Sequence, residues 1–222
     1  GSYTTIADWK DVQDGYVVDV TIRQKAAETY PSGWDYGLHL GEIGGDTILR
    51  YDNAHERTKG HERHTRDGVE FIDFPGMVTP FQTGGRRAVT CLVGVAGVGR
   101  RQEGDTMPTL KITVGQRDAI DQQTQTRIKA AQHGEELEDA QPVLNFESYA
   151  ELSRLLSPKN LELLEAISEH GPESISETAD LVDRDYKQVH RNLTELEDIG
   201  VISFEGSGAG RAKVPVLTYD GL

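Results

Sequence analysis

Short runs in which apolar and polar residues alternate fill the first third of the chain. Residues 15–23 are rich in β-branched side chains and follow Asp14, and residues 36–40 alternate with period two. Gly44, Gly45 and Asp46 turn the chain into residues 47–51, and residues 69–74 follow Asp67 and Gly68. Each run is a strand with turn chemistry on its flank, and together they predict a small antiparallel sheet. From residue 107 the pattern changes. A strand over 110–114 precedes a polar segment, 116–132, that reads as a helix, although Ile120 and Ile128 are too sparse for a full apolar stripe. Residues 135–139 form a solvated acidic loop, and Phe146, Tyr149, Leu152 and Leu156 recur at helical spacing.

After residue 157 the periodicity sharpens. Ser157 and Pro158 suit an N-cap and a first helical position. Leu161, Leu164 and Ile167 then share one face until Gly171 and Pro172 stop the helix. Ser174 and Glu177 have the spacing of a capping box, with Ile175, Ala179 and Val182 behind it. Asp183 or Asp185 caps a third helix, in which Val189, Leu193 and Leu196 stand at i, i+4 and i+7, and Gly200 ends it. Residues 201–204, a Gly/Ser-rich turn and residues 213–219 read as a two-stranded ribbon. Three short helices followed by a hairpin predict a winged helix-turn-helix, with its third helix entering the major groove and the hairpin tip on the backbone. The predicted class is therefore α+β: a small antiparallel β-sheet domain over 1–75, a linker over 76–106, a strand-and-helix region over 107–156 as the candidate dimerisation surface, and the winged helix over 157–222.

The linker has a composition of its own. No Asp or Glu occurs between Asp73 and Glu103, while Arg86, Arg87, Arg100 and Arg101 flank a Gly/Val stretch with an edge strand at 89–93. It reads as flexible sequence that once lay between two adjacent genes, with Met107 as an old start codon.

Charge narrows the function without naming it. The 222 residues hold 23 basic and 37 acidic side chains, a net charge of −14, which excludes a nonspecific polycation but leaves room for a local DNA-reading surface. Abundant carboxylates with only 8 lysines against 15 arginines suggest a salt-rich cytoplasm. The lone Cys91 excludes a disulfide framework and a Cys-based zinc site. No run approaches the roughly 20 apolar residues of a membrane span, and no basic, apolar leader opens the chain, so a cytoplasmic protein is expected. The opening Gly1 and Ser2 look like the scar of a cleaved tag.

Residues 157–222 carry 6 basic and 13 acidic residues, yet the cations are focused. Arg184, Lys187 and Arg191 share residues 184–191 with a single acid, and Arg211 and Lys213 share 206–217 with none. The expected DNA-contacting set is Arg184, Tyr186, Lys187, Gln188, His190, Arg191, Arg211 and Lys213. Gln188 suits adenine, whereas Lys187 and Arg191 suit guanine or phosphate. The alternative is a three-helix unit that serves protein contacts only.

A second cluster lies in the first half. His55, His61 and His64 fall within ten residues, interleaved with Arg57, Arg63, Arg66 and carboxylates. Cleaving an RNA phosphodiester takes a proton acceptor for the 2′-hydroxyl, a donor for the leaving oxygen and cations for the phosphorane. Histidine suits both proton roles, and arginine suits the charge role. A metal site with His55, His61 and His64 as ligands is a second reading, and a solvated loop is a third. In a strand His61 and His64 face opposite sides, whereas in a helical turn they share one.

Residues 109–115, 144–150, 160–164 and 183–198 resemble a family of DNA-binding proteins from salt-adapted archaea related to TumA-like antitoxins. That resemblance implies a winged-helix regulator, commonly encoded beside a toxin-like partner and usually dimeric. Arg50, Tyr51, Asp52 and Asn53, with Lys59, Gly60, His61, Glu62, Arg63 and His64, resemble TumE-like toxins over about residues 8–75. This second resemblance implies RNA or translation as the target. It marks Tyr51, Asp52, Asn53, His61, Arg63 and His64 as positions to test, and the catalytic candidates are His61, His64, Arg63, Asp52 and His55. Such toxins continue past their last strand into an amphipathic helix that Met77 onward does not supply, which implies a truncated and inactive fold. The expected function is a DNA-binding transcriptional regulator of antitoxin type fused to a toxin-like domain. It binds double-stranded DNA as a homodimer, with no cofactor, metal or membrane. The alternative is an active ribonuclease-type toxin, contacting RNA through the first domain and neutralised in cis by the antitoxin half.

Overall fold

The computed structural model describes residues 3–25, 33–53, 61–65, 67–72, 77–83, 86–93, 109–206 and 212–219, with the backbone alone at Lys25, His61 and Arg63 and in the described residues between 69 and 93. Six strands follow one another as an antiparallel meander: β1 (Tyr3–Gln13), β2 (Tyr16–Lys25), β3 (Trp34–Glu42), β4 (Thr47–Asp52), β5 (His61–Thr65) and β6 (Gly68–Ile72). The first hairpin shows why the chain turns where it does. Gln13 pairs with Tyr16 across a loop whose residues, Asp14 and Gly15, both have positive φ (52° and 81°). That is the turn whose twist matches two paired strands, and Asp-Gly is its favoured sequence.

The expected linker is structured in part. β7 (Met77–Thr83) and β8 (Arg86–Val93) pair with each other as a separate antiparallel hairpin, so the single edge strand expected at 89–93 has a partner. The region set apart at 107–156 is not a separate unit either. β9 (Lys111–Val114) and β10 (Val143–Phe146) join the first sheet, β10 lying parallel to β1 and β9 parallel to β10, to give the order β6-β5-β4-β3-β2-β1-β10-β9. Parallel neighbours need a crossover, and the helix α1 (Arg117–Gln132) provides it. Its sparse stripe is completed by Thr124, whose hydroxyl accepts from Trp9 Nε1 at 3.0 Å, and by Ala131. Ile120, Ile128 and Ala131 pack with Ile6, Ala7, Trp9, Val20, Ile22 and Leu38, so α1 covers one face of the sheet. Phe146, expected to open a helix, closes β10 and is fully buried.

The remaining elements are α2 (Tyr149–Leu155), α3 (Pro158–His170), α4 (Ile175–Leu181), α5 (Tyr186–Asp198) and an antiparallel pair, β11 (Ile202–Glu205) and β12 (Val214–Leu217). The capping chemistry is largely as read. Ser174 Oγ accepts from the Glu177 N–H, and Asp185, not Asp183, caps α5 by accepting from Lys187 N–H and Gln188 N–H. On α3 the buried residues are Asn160, Leu163, Leu164, Ala166 and Ile167, a stripe that starts at Asn160 and leaves Leu161 on the exposed side. This helical part shares one core with the sheet: Val12, Val17, Leu144 and Phe146 are buried together with Leu163, Ile167, Leu193, Leu196 and Ile199. Leu110, Leu144 and Leu155, in the expected dimerisation region, are likewise engaged in packing within the chain. Among the described residues no helix is long and apolar enough to cross a membrane.

A buried polar knot ties the two parts. Asn145 Nδ2 donates to Asp11 Oδ1 at 2.7 Å, while Asn145 Oδ1 accepts from Thr113 Oγ1 and Gln116 N–H at 2.9 and 3.0 Å. Arg117 Nη1 reaches Asp11 Oδ2 at 2.8 Å, and its guanidinium lies 4.3 Å from the Trp9 ring centroid. Asn145→Ala removes three hydrogen bonds and leaves Asp11 short of a donor, at a cost on the order of 2–3 kcal/mol. We expect calorimetry to show one cooperative transition for the whole chain, moved several degrees lower in Asn145→Ala. Two resolved transitions, with only the first affected, would refute the single body.

Candidate functional site

Residues directly opposite each other on neighbouring strands share a face, and the register assembles two polar rows across the sheet. One runs Lys10, Asp19, His39, Arg50, His64 through β1 to β5. The other runs Thr21, Gly37, Asp52, Glu62 through β2 to β5. Both lie on the face away from α1. Their middle is an open pocket of about 290 Å³, floored by Gly37 and walled by Thr21 and Arg23 of β2, His39 of β3, and Arg50 and Asp52 of β4. A Cβ at Gly37 would meet no heavy atom within 4 Å, so the floor is open space. Glycine inside a central strand weakens it and marks a place where something else approaches the backbone.

The Asp52 wall is charged, and Glu62 and His64 back it from outside the pocket lining. Asp52 and Glu62 are 3% and 2% exposed and stand opposite each other. Arg50 Nε lies 2.7 Å from Asp52 Oδ2. His64 Nε2 lies 3.2 Å from Glu62 Oε2 and 3.5 Å from Asp52 Oδ2. Behind the wall, burial and then the charge of Asp52 raise the Tyr36 hydroxyl well above its ordinary pKa. On the near side His39 bonds Thr47 Oγ1 at 2.9 Å, its ring lying over Gly41. Burial lowers the His39 pKa against the opposing pull of Asp19, so the ring is neutral near pH 7.

The sequence-derived candidates divide accordingly. Asp52 and His64 meet in this wall. β5 is a strand, so His61 and His64 stand at positions of opposite parity, which decides the alternative left open by the sequence. The side chains of His61 and Arg63, and the whole of His55 and Arg66, lie outside the described residues. Asn53 serves the fold, since its side chain accepts from Tyr36 N–H at 3.2 Å and donates to Trp34 C=O at 3.3 Å. Sequence reasoning did not select Arg23, Gly37, His39, Arg50 or Glu62. Their signal was the alternation of Asp19, Thr21 and Arg23 with Val18, Val20 and Ile22, a strand that is polar on one side.

A second set of predicted contacts lies on α5. Tyr186, Lys187, Gln188 and Arg191 are exposed and His190 partly so, while Val189, Leu193 and Leu196 are completely buried on the other side. The Tyr186 and His190 rings are 5.9 Å apart. Arg184 is turned inward, its Nη1 donating to Lys159 C=O at 3.0 Å. Lys213 is exposed with its ammonium 4.9 Å from the Phe204 ring centroid, and Arg211 lies outside the described residues.

The comparisons with known proteins fall on these same two regions. Residues 5–83 match the family model described as Toxin TumE. A TumE toxin-family domain is thus present, consistent with a link to toxin–antitoxin systems. Residues 155–222 match an archaeal family described as HVO_A0114. No curated protein and no solved structure matches the chain.

Two measurements check this geometry. Gly37→Ala meets no obstacle and removes the strand penalty of glycine, so the melting temperature should rise by the equivalent of about 0.5–1 kcal/mol. A fall would mean that the floor is not open. Because folding lowers the His39 pKa below its ordinary 6.5, the unfolded chain binds more protons. The stability that His39 contributes is complete above pH 6.5 and is lost as pH falls below it. Urea midpoints between pH 7.5 and about 5.5 should therefore decline, and His39→Gln should flatten that decline. An unchanged slope would place its cause elsewhere.

Proposed function

We propose that the chain joins a TumE-type domain to a DNA-binding transcriptional regulator of antitoxin type. In this reading α3, α4 and α5 with β11 and β12 form a winged helix-turn-helix: α5 is the recognition helix and the β11–β12 ribbon the wing. The observation that carries it is the two-sidedness of α5, with Tyr186, Lys187, Gln188 and Arg191 in solvent opposite Val189, Leu193 and Leu196 in the core. Asp185 caps the helix and fixes where that face begins. Gln188 suits the bidentate pattern of adenine, and Lys187 and Arg191 suit guanine or phosphate. Two copies would present two such helices to the two half-sites of an operator. Lys213 adds a backbone contact from the ribbon, while Arg184 acts by holding α5 to α3.

A second reading is favoured by the buried wall of the first-half pocket. Asp52, Glu62 and His64 offer proton acceptors and a donor, and Arg50, its side chain 46% exposed, offers a cation toward the opening. That set suits in-line attack on an RNA phosphodiester. Because β1 pairs with β10 and the helical part shares its core, the RNA reading is tested on the full chain: His64→Ala should abolish cleavage of a labelled RNA while leaving the fold intact.

The DNA reading is tested by fluorescence anisotropy of the full chain on its own upstream duplex across a salt series. Lys187→Ala should weaken binding to every sequence and lower the salt slope by about 1. Gln188→Ala should relax preference at one base pair, worth about 1–3 kcal/mol, and Lys129→Ala, exposed near the end of α1, should change nothing. If Lys187→Ala and Arg191→Ala together bind as tightly as wild type, the reading surface is wrongly assigned.

A further inference from the structure

Two carboxylates buried side by side require positive charge close at hand. Asp52 and Glu62 are register partners in the sheet interior, and Arg50 supplies one guanidinium, at Asp52. Beside both carboxylates stands His64, whose arrangement is unusual. Its Nε2 is buried and near an oxygen of each carboxylate, yet it is in hydrogen-bond geometry with neither. Three donor atoms that converge without bonding one another in pairs are arranged as ligands of something between them.

The spacing agrees. Ligands about 2.1 Å from a common ion stand roughly 3.0–3.4 Å apart, from right-angled to tetrahedral arrangements. The His64 Nε2 distances of 3.2 and 3.5 Å lie at this scale, and one donor atom from each residue falls within 4.8 Å of the others. The three side chains come from β4 and β5, adjacent strands of one sheet, so their geometry is held by the backbone ladder and not by loops. Asp52 also lines the open pocket, so coordination positions beyond the three protein ligands face solvent.

We propose that Asp52, Glu62 and His64 form a binding site for one divalent cation at the edge of the pocket over Gly37. Two carboxylate oxygens and one imidazole nitrogen suit a first-row ion such as Mn²⁺ or Zn²⁺ over Ca²⁺. The neighbouring Arg50 offsets the Asp52 charge, so the wall with its ion carries net positive charge toward the pocket and favours an anionic group there. The site differs from the histidine triad read from the sequence, with which it shares only His64. It stands or falls separately from the DNA and RNA readings, since its occupancy is measured with neither present.

The test is Mn²⁺ binding to the full chain after treatment with a chelator, followed by calorimetry and by electron spin-echo spectroscopy. The expected result is one ion per chain, with modulation from a single imidazole nitrogen. His64→Ala and Glu62→Gln should each weaken binding more than about 100-fold, beyond what loss of an outer-sphere partner does. His133→Ala, at an exposed histidine after α1, should leave it unchanged. Should both site variants fail to fold, the wild-type spectrum decides: a bound ion with an imidazole signal supports the site, and an all-oxygen environment overturns it. No stoichiometric binding also overturns it.

Discussion

Asn145 reaches from β10 to Asp11 of β1 while holding Thr113 and the first turn of α1, and the arrangement of the whole molecule follows from that bond set. The pairing of β1 with β10 is parallel, so the chain cannot reach it by a hairpin and must cross over through β9 and α1. The crossover lies between the two family matches, which end at residue 83 and begin at residue 155. Sequence belonging to neither match therefore closes the sheet on one edge, covers its apolar face and carries the chain into α2. A flexible tether would let the halves move apart. A shared ladder, with Val12 and Val17 buried against Leu193 and Leu196, does not.

With α1 over one face and the helical half over Val12 and Val17 on the other, the part of that second face left uncovered is polar, and the register makes it so. Charged residues on β2, β3, β4 and β5 are tolerated in a central sheet because they fall in rows, each beside a partner of opposite sign or a histidine: Lys10 with Asp19, Arg23 with Asp35, Arg50 with Asp52. Pairing of this kind offsets desolvation without adding much net stability. Local neutrality along the rows leaves Gly37 as the place where no side chain fills the surface, and that opening gives the pocket its floor.

How far the sequence foretold this differs by element. The helices after residue 157 were legible because Val189, Leu193 and Leu196 repeat at helical spacing and the caps are local. β2, β3, β4 and β6 were legible from alternation and turn residues. β1 was not, because both of its sides are used: Trp9 meets α1 while Lys10 and Asp11 enter polar networks, so no clean period survives. β10 was hidden by chance, since Phe146 and Tyr149 are three apart and imitate a helix across a strand end. The site was half legible. Asp52 and His64 stood out by composition, but only register sets His39 beside Arg50 and Asp52 beside Glu62, which no local pattern encodes. Parallel pairing of β1 with β10, 134 residues apart at Asp11 and Asn145, leaves no local trace either.

The helix α5 connects the two regions physically. Its 13 residues span about 20 Å at 1.5 Å per residue. The first half is cationic and faces solvent, with Lys187 and Arg191. The second half is acidic and faces the sheet. Asp198 accepts the Gly44 N–H at 2.5 Å beside Lys10 and His39, and burial raises its carboxyl pKa. Gly200 follows with φ of 76°, which glycine adopts freely, and a Cβ there would also run into the Lys10 side chain. Reversing the order of charge along α5 would place cations against Lys10, and that contact would fail. The order of charge along α5 therefore suits the sheet at its second end and leaves Lys187 and Arg191 in solvent at its first. One helix thus carries both the exposed cations Lys187 and Arg191 and the carboxylate, Asp198, that stands beside His39.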